Sequence, residues 1–307
     1  MTVPHVRIGT RASQLAQWQA NWAAGELRRL GATVELLEIT TSGDRHDKGP
    51  VAHLGQQGVF TKELQSALLA ERVDVAVHSL KDLPTQTVDG LVLAAVPPRE
   101  SSADALVSNI AQSLTDLPQG ARVGTGSPRR RAQLKHLRHD LEVADLRGNV
   151  DTRLRKLDAA EYDAIILAEA GLRRLGWEVR IVELLAPPRM LPAPGQGALA
   201  IECREADAAL RQLLCPLDDL PTRQVVTAER SLLGRLGAGC SAPVGAWGRI
   251  EGGQLLLDGL VADLSGEIVL RASARGETAS GEQLGFRVAE ELLRQGAAEL
   301  IAAARNT

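Results

Sequence analysis

Val123-Gly124-Thr125-Gly126-Ser127-Pro128-Arg129-Arg130-Arg131 is the stretch on which the fold turns. A short apolar run ending at Gly124 reads as a strand, and Gly-Thr-Gly bends the chain. Ser127 then offers the side chain of an N-cap and Pro128 the fixed φ of a first helical position, so a helix opens here and runs to about Arg138. Strand, tight turn and helix in succession form the building unit of a parallel α/β sheet. Free backbone N–H groups at such a helix start attract anions. Three consecutive arginines there oppose the helix dipole, a cost that an anionic partner removes. The alternative is an ordinary capped helix with surface arginines.

The same alternation extends in both directions. Toward the N-terminus, strands are predicted at Val6 to Thr10, Val34 to Ile39, Val73 to His78 and Leu91 to Val96. An amphipathic helix is expected from Ser13 to Leu30, with Leu15, Trp18, Trp22 and Leu27 on one face, and a short one from Thr61 to Ala70. Pro97-Pro98-Arg99-Glu100-Ser101-Ser102 reads as a linker or crossover. Beyond it come strands at Ala103 to Val107, Arg122 to Gly124, Val143 to Asp145 and Ala164 to Leu167, with a helix from Thr152 to Ala160. Ala198 to Ile201 reads as a strand returning to the first sheet. Pro221 marks a boundary before a helix from Thr222 to Leu236. Two-residue alternation follows over Val244 to Ile250, Gln254 to Leu260 and Glu267 to Ala272. One helix from Gly281 to Ala304 closes the chain. The fold class is therefore α/β with mixed, mostly parallel sheets, plus a small C-terminal α+β domain.

Composition narrows the function. A chain of 307 residues has room for two or three domains. Aromatics are 2%, too few for a ring platform on single-stranded nucleic acid, and the net charge of -3 disfavours a non-specific nucleic-acid binder. Placement of charge matters more. Arg122, Arg129, Arg130, Arg131, Lys135, Arg138, Arg147, Arg153, Arg155 and Lys156 crowd one stretch. Lysine is scarce, and guanidinium recognises carboxylate or phosphate in a planar, bidentate way. Cys203, Cys215 and Cys240 are odd in number and irregular in spacing, so neither a disulfide framework nor a metal site is expected. No apolar run is long enough to span a membrane. Met1 to Arg11 has no long apolar h-region, which predicts no signal peptide and cytoplasmic residence.

Three further stretches carry chemistry. Val75-Ala76-Val77-His78-Ser79-Leu80-Lys81-Asp82-Leu83-Pro84 is a buried strand that emerges into polar residues. Ligands of α/β sheets sit beyond the carboxyl ends of strands, which puts Asp82 within reach of one. Solvated turn charges are the plain alternative for Lys81 and Asp82. Asp145-Leu146-Arg147-Gly148-Asn149-Val150-Asp151-Thr152-Arg153 sets Arg147 after a strand and Arg153 at a helix start. Arg155 and Lys156 read as a solvated face. Gly237-Ala238-Gly239-Cys240-Ser241-Ala242-Pro243 gives Cys240 little backbone shielding, suited to covalent attachment, whereas Cys203 and Cys215 read as inert. Gly195-Gln196-Gly197 lets backbone approach a ligand or simply turns the chain.

Gly9-Thr10-Arg11-Ala12-Ser13, HSLKDLP, GTGSPRR, LRGNVDTRL, PAPGQGALAIE and GAGCSAPVGAW, in this order, resemble the hydroxymethylbilane synthase (porphobilinogen deaminase) family over nearly the whole chain. The resemblance implies two lobes like those of periplasmic binding proteins, residues 1–99 with 195–219 and residues 100–194, and a cofactor-bearing domain at 220–307. It implies head-to-tail condensation of four porphobilinogen molecules with loss of ammonia. The chain grows on a dipyrromethane held by a thioether to Cys240, and is then hydrolysed to hydroxymethylbilane. Asp82 matches the catalytic residue. Lys81, Ser127, Arg129, Arg130, Arg147 and Gly148 match cofactor-binding positions, and Arg11, Ser13, Arg153, Arg174 and Gln196 match substrate-binding ones. A cytoplasmic monomer with no nucleic-acid or membrane partner is implied. His53 and Gln57 stand where the family often has lysine, and GTGSP where a GTSS-type run is common. This chemistry suits the residues: every porphobilinogen adds an acetate and a propionate, and one carboxylate can steady the cation formed as ammonia leaves. A binder of small carboxylates or phosphates needs no tethered thiol, and an RNA binder would need aromatics and positive charge.

Overall fold

The structure, a computed structural model, describes residues 3–40, 61–239 and 242–305. The chain forms two compact units, Met1–Arg99 with Ala198–Arg223, and Glu100–Gly197 with Gln224–Thr307.

In the first unit, strands β1 (His5–Thr10), β2 (Thr33–Glu38), β3 (Val75–Ser79), β4 (Leu91–Ala95) and β10 (Leu199–Arg204) form one sheet in the order β2-β1-β3-β10-β4. β2, β1 and β3 pair in parallel, and β10 is antiparallel to both of its neighbours, so four strands share one direction. The second unit repeats the arrangement. Its strands β5 (Asp104–Ser108), β6 (Arg122–Gly124), β7 (Glu142–Ala144), β8 (Ala164–Ala168) and β9 (Glu183–Leu185) lie in the order β7-β6-β8-β5-β9, with β5 the single reversed strand. Each sheet thus holds one reversed strand, second from an edge and next to a crossing of the chain from one unit to the other: β5 follows the first crossing and β10 the second. The predicted return of Ala198 to Ile201 to the first sheet is what β10 does.

Both five-stranded sheets are covered on two faces, so their strands are apolar runs with little alternation. Val6, Ile8, Val75 and Val77 pack with Ala20, Ala23, Ala24 and Leu27 on one side of the first sheet. Leu64, Leu68 and Ala76 fill the other side. In the second unit Leu106 and Ile166 face one core, Val107 and Ile165 the other. The three-stranded antiparallel sheet β11 (Val244–Glu251), β12 (Gln254–Ala262) and β13 (Val269–Glu277) has its own core with helices Leu220–Arg235 and Gly281–Arg294. The fold class is the expected one.

Three local expectations change. The helix Gln14–Arg29 buries Gln19, Ala20, Ala23, Ala24 and Leu27, while Trp18 is 37% exposed. At 3.6 residues per turn Trp18 lies opposite Leu27, while half-buried Trp22, on the flank, still packs against this core, and the alanine stripe lets the helix sit close to the sheet. The C-terminal helix is two, Gly281–Arg294 and Ala297–Arg305. Between them Gln295 N–H donates back to Glu291 O (3.2 Å) and Gly296 N–H to Leu293 O (3.0 Å), closing the first helix. The helix expected from Thr152 starts two residues earlier, at Val150 after an extended Asn149. Helices Glu169–Arg174 and Ala208–Leu214 and strand β9 gave too short a periodic signal to be read.

Leu27→Ala is expected to cost about 3–5 kcal/mol, as for emptying a packed site, and Trp18→Ala about 1 kcal/mol or less. Thermal melting followed by circular dichroism ranks the two, and a larger loss at Trp18 would reverse the assignment of the buried face.

Candidate anion-binding and carboxylate sites

In the second unit the carboxyl ends of β6 and β7 lie side by side. Thr125 N–H donates to Ala144 O (2.9 Å) and Ser127 N–H to Thr125 Oγ1 (3.2 Å). A Cβ on residue 126 would stand 2.8 Å from Leu146 O, so Gly126 permits this approach. Ser127 caps the helix Pro128–Leu137 as expected, its Oγ accepting from Arg130 N–H (3.4 Å). The helix Val150–Asp158 starts beside the same edge, and Arg153 Nε donates to Gly148 O (2.7 Å). Arg147 is exposed between the two helix starts, with no side-chain partner among the described residues.

The anion that the three arginines call for is partly internal. Arg129 is 3% exposed and Arg130 5%, and both close on Asp104, which has no exposure. Arg129 donates through Nη1 (2.6 Å) and Nη2 (3.3 Å), and Arg130 through Nε (2.9 Å) with Nη2 at 2.7 Å. Gln196 Nε2 adds a bond to Asp104 (2.9 Å) and another to Ser102 O (2.7 Å). Burial pushes the Asp104 carboxyl up, yet the charges of Arg129 and Arg130 outweigh it and hold the group well below the usual carboxylate range. Burial lowers Arg129 in turn, and its Nε is buried with no partner among the described residues. Arg131 instead turns to Val143 O (2.8 Å) and Asp145 (2.7 Å). Arg174 donates to Gly197 O (2.6 Å), and burial brings its pKa down to about 10. Two cations against one carboxylate leave a positive cluster, a donor set that fits an acidic group.

Glu229 ties this region to the C-terminal sheet. It is fully buried in the helix Leu220–Arg235 and accepts from Gly195 N–H (2.7 Å) and Gly248 N–H (2.8 Å).

In the first unit, β3 ends in one 3-10 turn, Leu80–Asp82. Asp82 is exposed there and has no side-chain partner among the described residues; Lys81 is half-buried. Gln19, buried under the turn, donates to Ser79 Oγ (2.8 Å). Ser13 caps the helix Gln14–Arg29 by accepting from Ala16 N–H (3.3 Å), next to half-buried Arg11 at the end of β1. On β3 itself, His78 Nε2 stands 2.9 Å from Glu202, a carboxylate that accepts from Gln65 (3.1 Å). Cys203 is buried, its thiol pushed up to about 11 by desolvation, and Cys215 is exposed. Cys240, His53 and Gln57 lie outside the described residues. Among the described residues no group of acids, histidines and cysteines could hold a metal ion, and no helix is long and apolar enough to cross a membrane.

Sequence reasoning missed Asp104, Glu169, Glu202 and Glu229. An acid opening the apolar run Asp104-Ala105-Leu106-Val107 was the available signal, since a charge in a buried strand needs a partner. Glu169, buried, takes Arg173 Nε (2.6 Å) and the Ser101 hydroxyl.

Arginines and helix starts at the carboxyl ends of parallel strands, and an exposed carboxylate at another such end, define an α/β protein with charged side chains where such folds place their ligands. Models of two family domains match the chain: "Porphobilinogen deaminase, dipyromethane cofactor binding domain" over residues 6–212, and "Porphobilinogen deaminase, C-terminal domain" over residues 223–294. The porphobilinogen deaminase of Acidithiobacillus ferrooxidans is 52% identical over 307 residues, covering 99% of this chain and 100% of its own. That of Acidothermus cellulolyticus is 50% identical over 306 residues, covering 98% and 92%. Among solved structures, a nutrient-binding protein from Burkholderia cenocepacia bound to methionine aligns over 68% of this chain and 89% of its own, at 16% identity and TM-score 0.43. The chain belongs to the porphobilinogen deaminase family.

Gly197 is the tightest backbone approach in this site. Its φ is +89°, and a Cβ there would lie 2.3 Å from Glu100 O. Gly197→Ala is expected to lose at least about 1–3 kcal/mol to backbone strain, seen as a lowered melting midpoint; an unchanged midpoint would contradict the packing of this turn.

Proposed function

We propose that this chain is a hydroxymethylbilane synthase, a transferase of tetrapyrrole biosynthesis that joins four porphobilinogen molecules head to tail with release of ammonia. The observation that carries the reading is Asp82: an exposed carboxylate, without a partner among the described residues, at the carboxyl end of a buried strand. Such a group is available to a substrate because no side chain among the described residues has claimed it.

Asp82 is the catalytic residue of this reading. As the aminomethyl carbon of porphobilinogen loses ammonia, positive charge spreads over the pyrrole. A carboxylate beside the ring nitrogen lowers the energy of that state. The free α-carbon of the growing chain's terminal pyrrole would form the new C–C bond to that aminomethyl-derived carbon and give up its hydrogen as a proton, for which Asp82 is the acceptor. Each added ring brings two carboxylates, and arginine serves them better than lysine through paired N–H bonds. Arg129, Arg130, Arg147, Ser127, Gly148 and Lys81 are assigned to the cofactor's acidic groups, and Arg11, Ser13, Arg153 and Arg174 to the substrate's, while Gln196, fully buried with its amide nitrogen on Asp104, serves indirectly. Ser13 and Ser127 serve by donating their hydroxyl O–H, since the oxygen of each already accepts from a helix N–H. The dipyrromethane, held at Cys240, supplies the pyrrole on which the chain is built. The positive Arg129–Arg130–Asp104 cluster and the buried Nε of Arg129 fit such an acidic group. Three domains, at 1–99 with 195–219, 100–194 and 220–307, residence in the cytoplasm and a monomeric state belong to the same reading.

Intact mass spectrometry of the purified protein is expected to show the sequence mass plus a dipyrrole, and Cys240→Ser the bare mass. Active protein at the bare mass would end the tethered-cofactor reading. Asp82→Asn is expected to keep that added mass while ammonia release falls by about a hundredfold or more, the range for a positioned acid or base. Near-normal turnover would remove Asp82 from the chemistry.

A further inference from the structure

We propose that Asp104 is the positioning residue of the arginine site, braced by Gln196. The proposal rests on the reading that Arg129 and Arg130 hold acidic groups of the cofactor, against whose terminal pyrrole each porphobilinogen binds, and gives that reading its geometry.

Adjacent residues on a helix point about 100° apart and do not face each other. Arg129 and Arg130 are adjacent in the first turn of the helix Pro128–Leu137, yet their guanidinium groups converge. Two buried like charges repel, so the convergence has an external cause. Asp104 is that cause: it stands within 2.6 Å of Arg129 Nη1 and 2.7 Å of Arg130 Nη2. Backbone carbonyls fix each guanidinium at a second place, Leu191 O for Arg129 (2.7 Å) and Ile166 O for Arg130 (3.0 Å). What remains is therefore held in one orientation. A guanidinium has five N–H donors. On Arg129 the Nε stays without a partner among the described residues, buried and beside an Nη2 that has a second hydrogen.

Asp104 needs holding in turn. Gln196 does this with one amide nitrogen, reaching Asp104 Oδ1 (2.9 Å), Ser102 O (2.7 Å) and Ala103 O (3.3 Å). The amide is neutral, so it fixes the carboxylate without cancelling the charge that attracts a ligand. A triad serving the fold alone would gain from matched charges or from apolar replacement, since buried ion pairs are poor stabilisers. Two cations around one anion suit a site that awaits another anion. Gln196, matched to a substrate position in the sequence, acts here through Asp104.

The test uses purified holoenzyme and porphobilinogen. Asp104→Asn is expected to raise KM about tenfold or more with kcat changed far less, and Gln196→Ala to raise KM by about threefold, because a cofactor held out of place weakens the binding of the porphobilinogen set against it. A KM unchanged in both, or an equal loss confined to kcat, would overturn the proposal. If Asp104→Asn fails to fold, Gln196→Ala decides alone: a raised KM with a cooperative melt supports positioning, and an unchanged KM overturns it. Arg129→Ala and Arg130→Ala separate the two ideas. Unchanged KM in these variants would sink the arginine reading itself. A raised KM in them, without an effect at Asp104 or Gln196, would sink only the positioning role.

Discussion

A carboxylate without access to water keeps its charge only among cations, and Asp104 has two guanidiniums closed around it. Much of the second unit is arranged by that requirement. β5, the reversed strand of its sheet, delivers Asp104 at its first residue. The helix Pro128–Leu137 delivers both arginines in its first turn, against its own dipole, because a carboxylate is waiting. Leu191 O takes a donor from Arg129, and Gln133 in the same helix bonds Leu191 in both directions. Removing one member of such a buried set costs about 3–5 kcal/mol, since the others are left unpaired.

The C-terminal sheet is tied to the same segment. Ala246 N–H donates to Pro192 O (2.9 Å), and Glu229 holds Gly195 on one side and Gly248 on the other. The segment 191–197 thus bonds to the C-terminal sheet on one side and to Asp104 on the other. Its glycines and prolines, which the sequence shows only as a turn, are a junction between the two. In the first unit the reversed strand β10 carries a buried carboxylate as well, Glu202, set against Gln65 and against His78 of the strand that leads to Asp82. The two units share a strand order and a buried acid on the reversed strand, with different partners: two arginines in one, a histidine and an amide in the other.

How far the residues announce this depends on the range of the interaction. Helix caps act over three residues, so Ser13 and Ser127 were legible. Strands buried on two faces announce themselves as apolar runs, which gave every strand of both large sheets except the three-residue β9. The exposed end of β3 at Asp82 followed from a run that turns polar. The first helix misled because tryptophan and leucine weigh more than alanine in any reading of hydrophobicity, while close packing on a sheet favours alanine. Asp104 is 25 residues from Arg129 and 92 from Gln196, and no local pattern links them. The arginine run showed that an anion was needed, without showing that one was already built in.

The central claim is that the first unit's exposed carboxylate and the second unit's arginines serve the condensation of porphobilinogen. Stoichiometry tests it most directly: the purified protein is given porphobilinogen, and ammonia and linear tetrapyrrole are measured in the same sample. The account predicts about four ammonia molecules for each tetrapyrrole, one for every aminomethyl group displaced by C–C bond formation. Porphobilinogen that binds but yields neither product, or ammonia released without a tetrapyrrole, would contradict it.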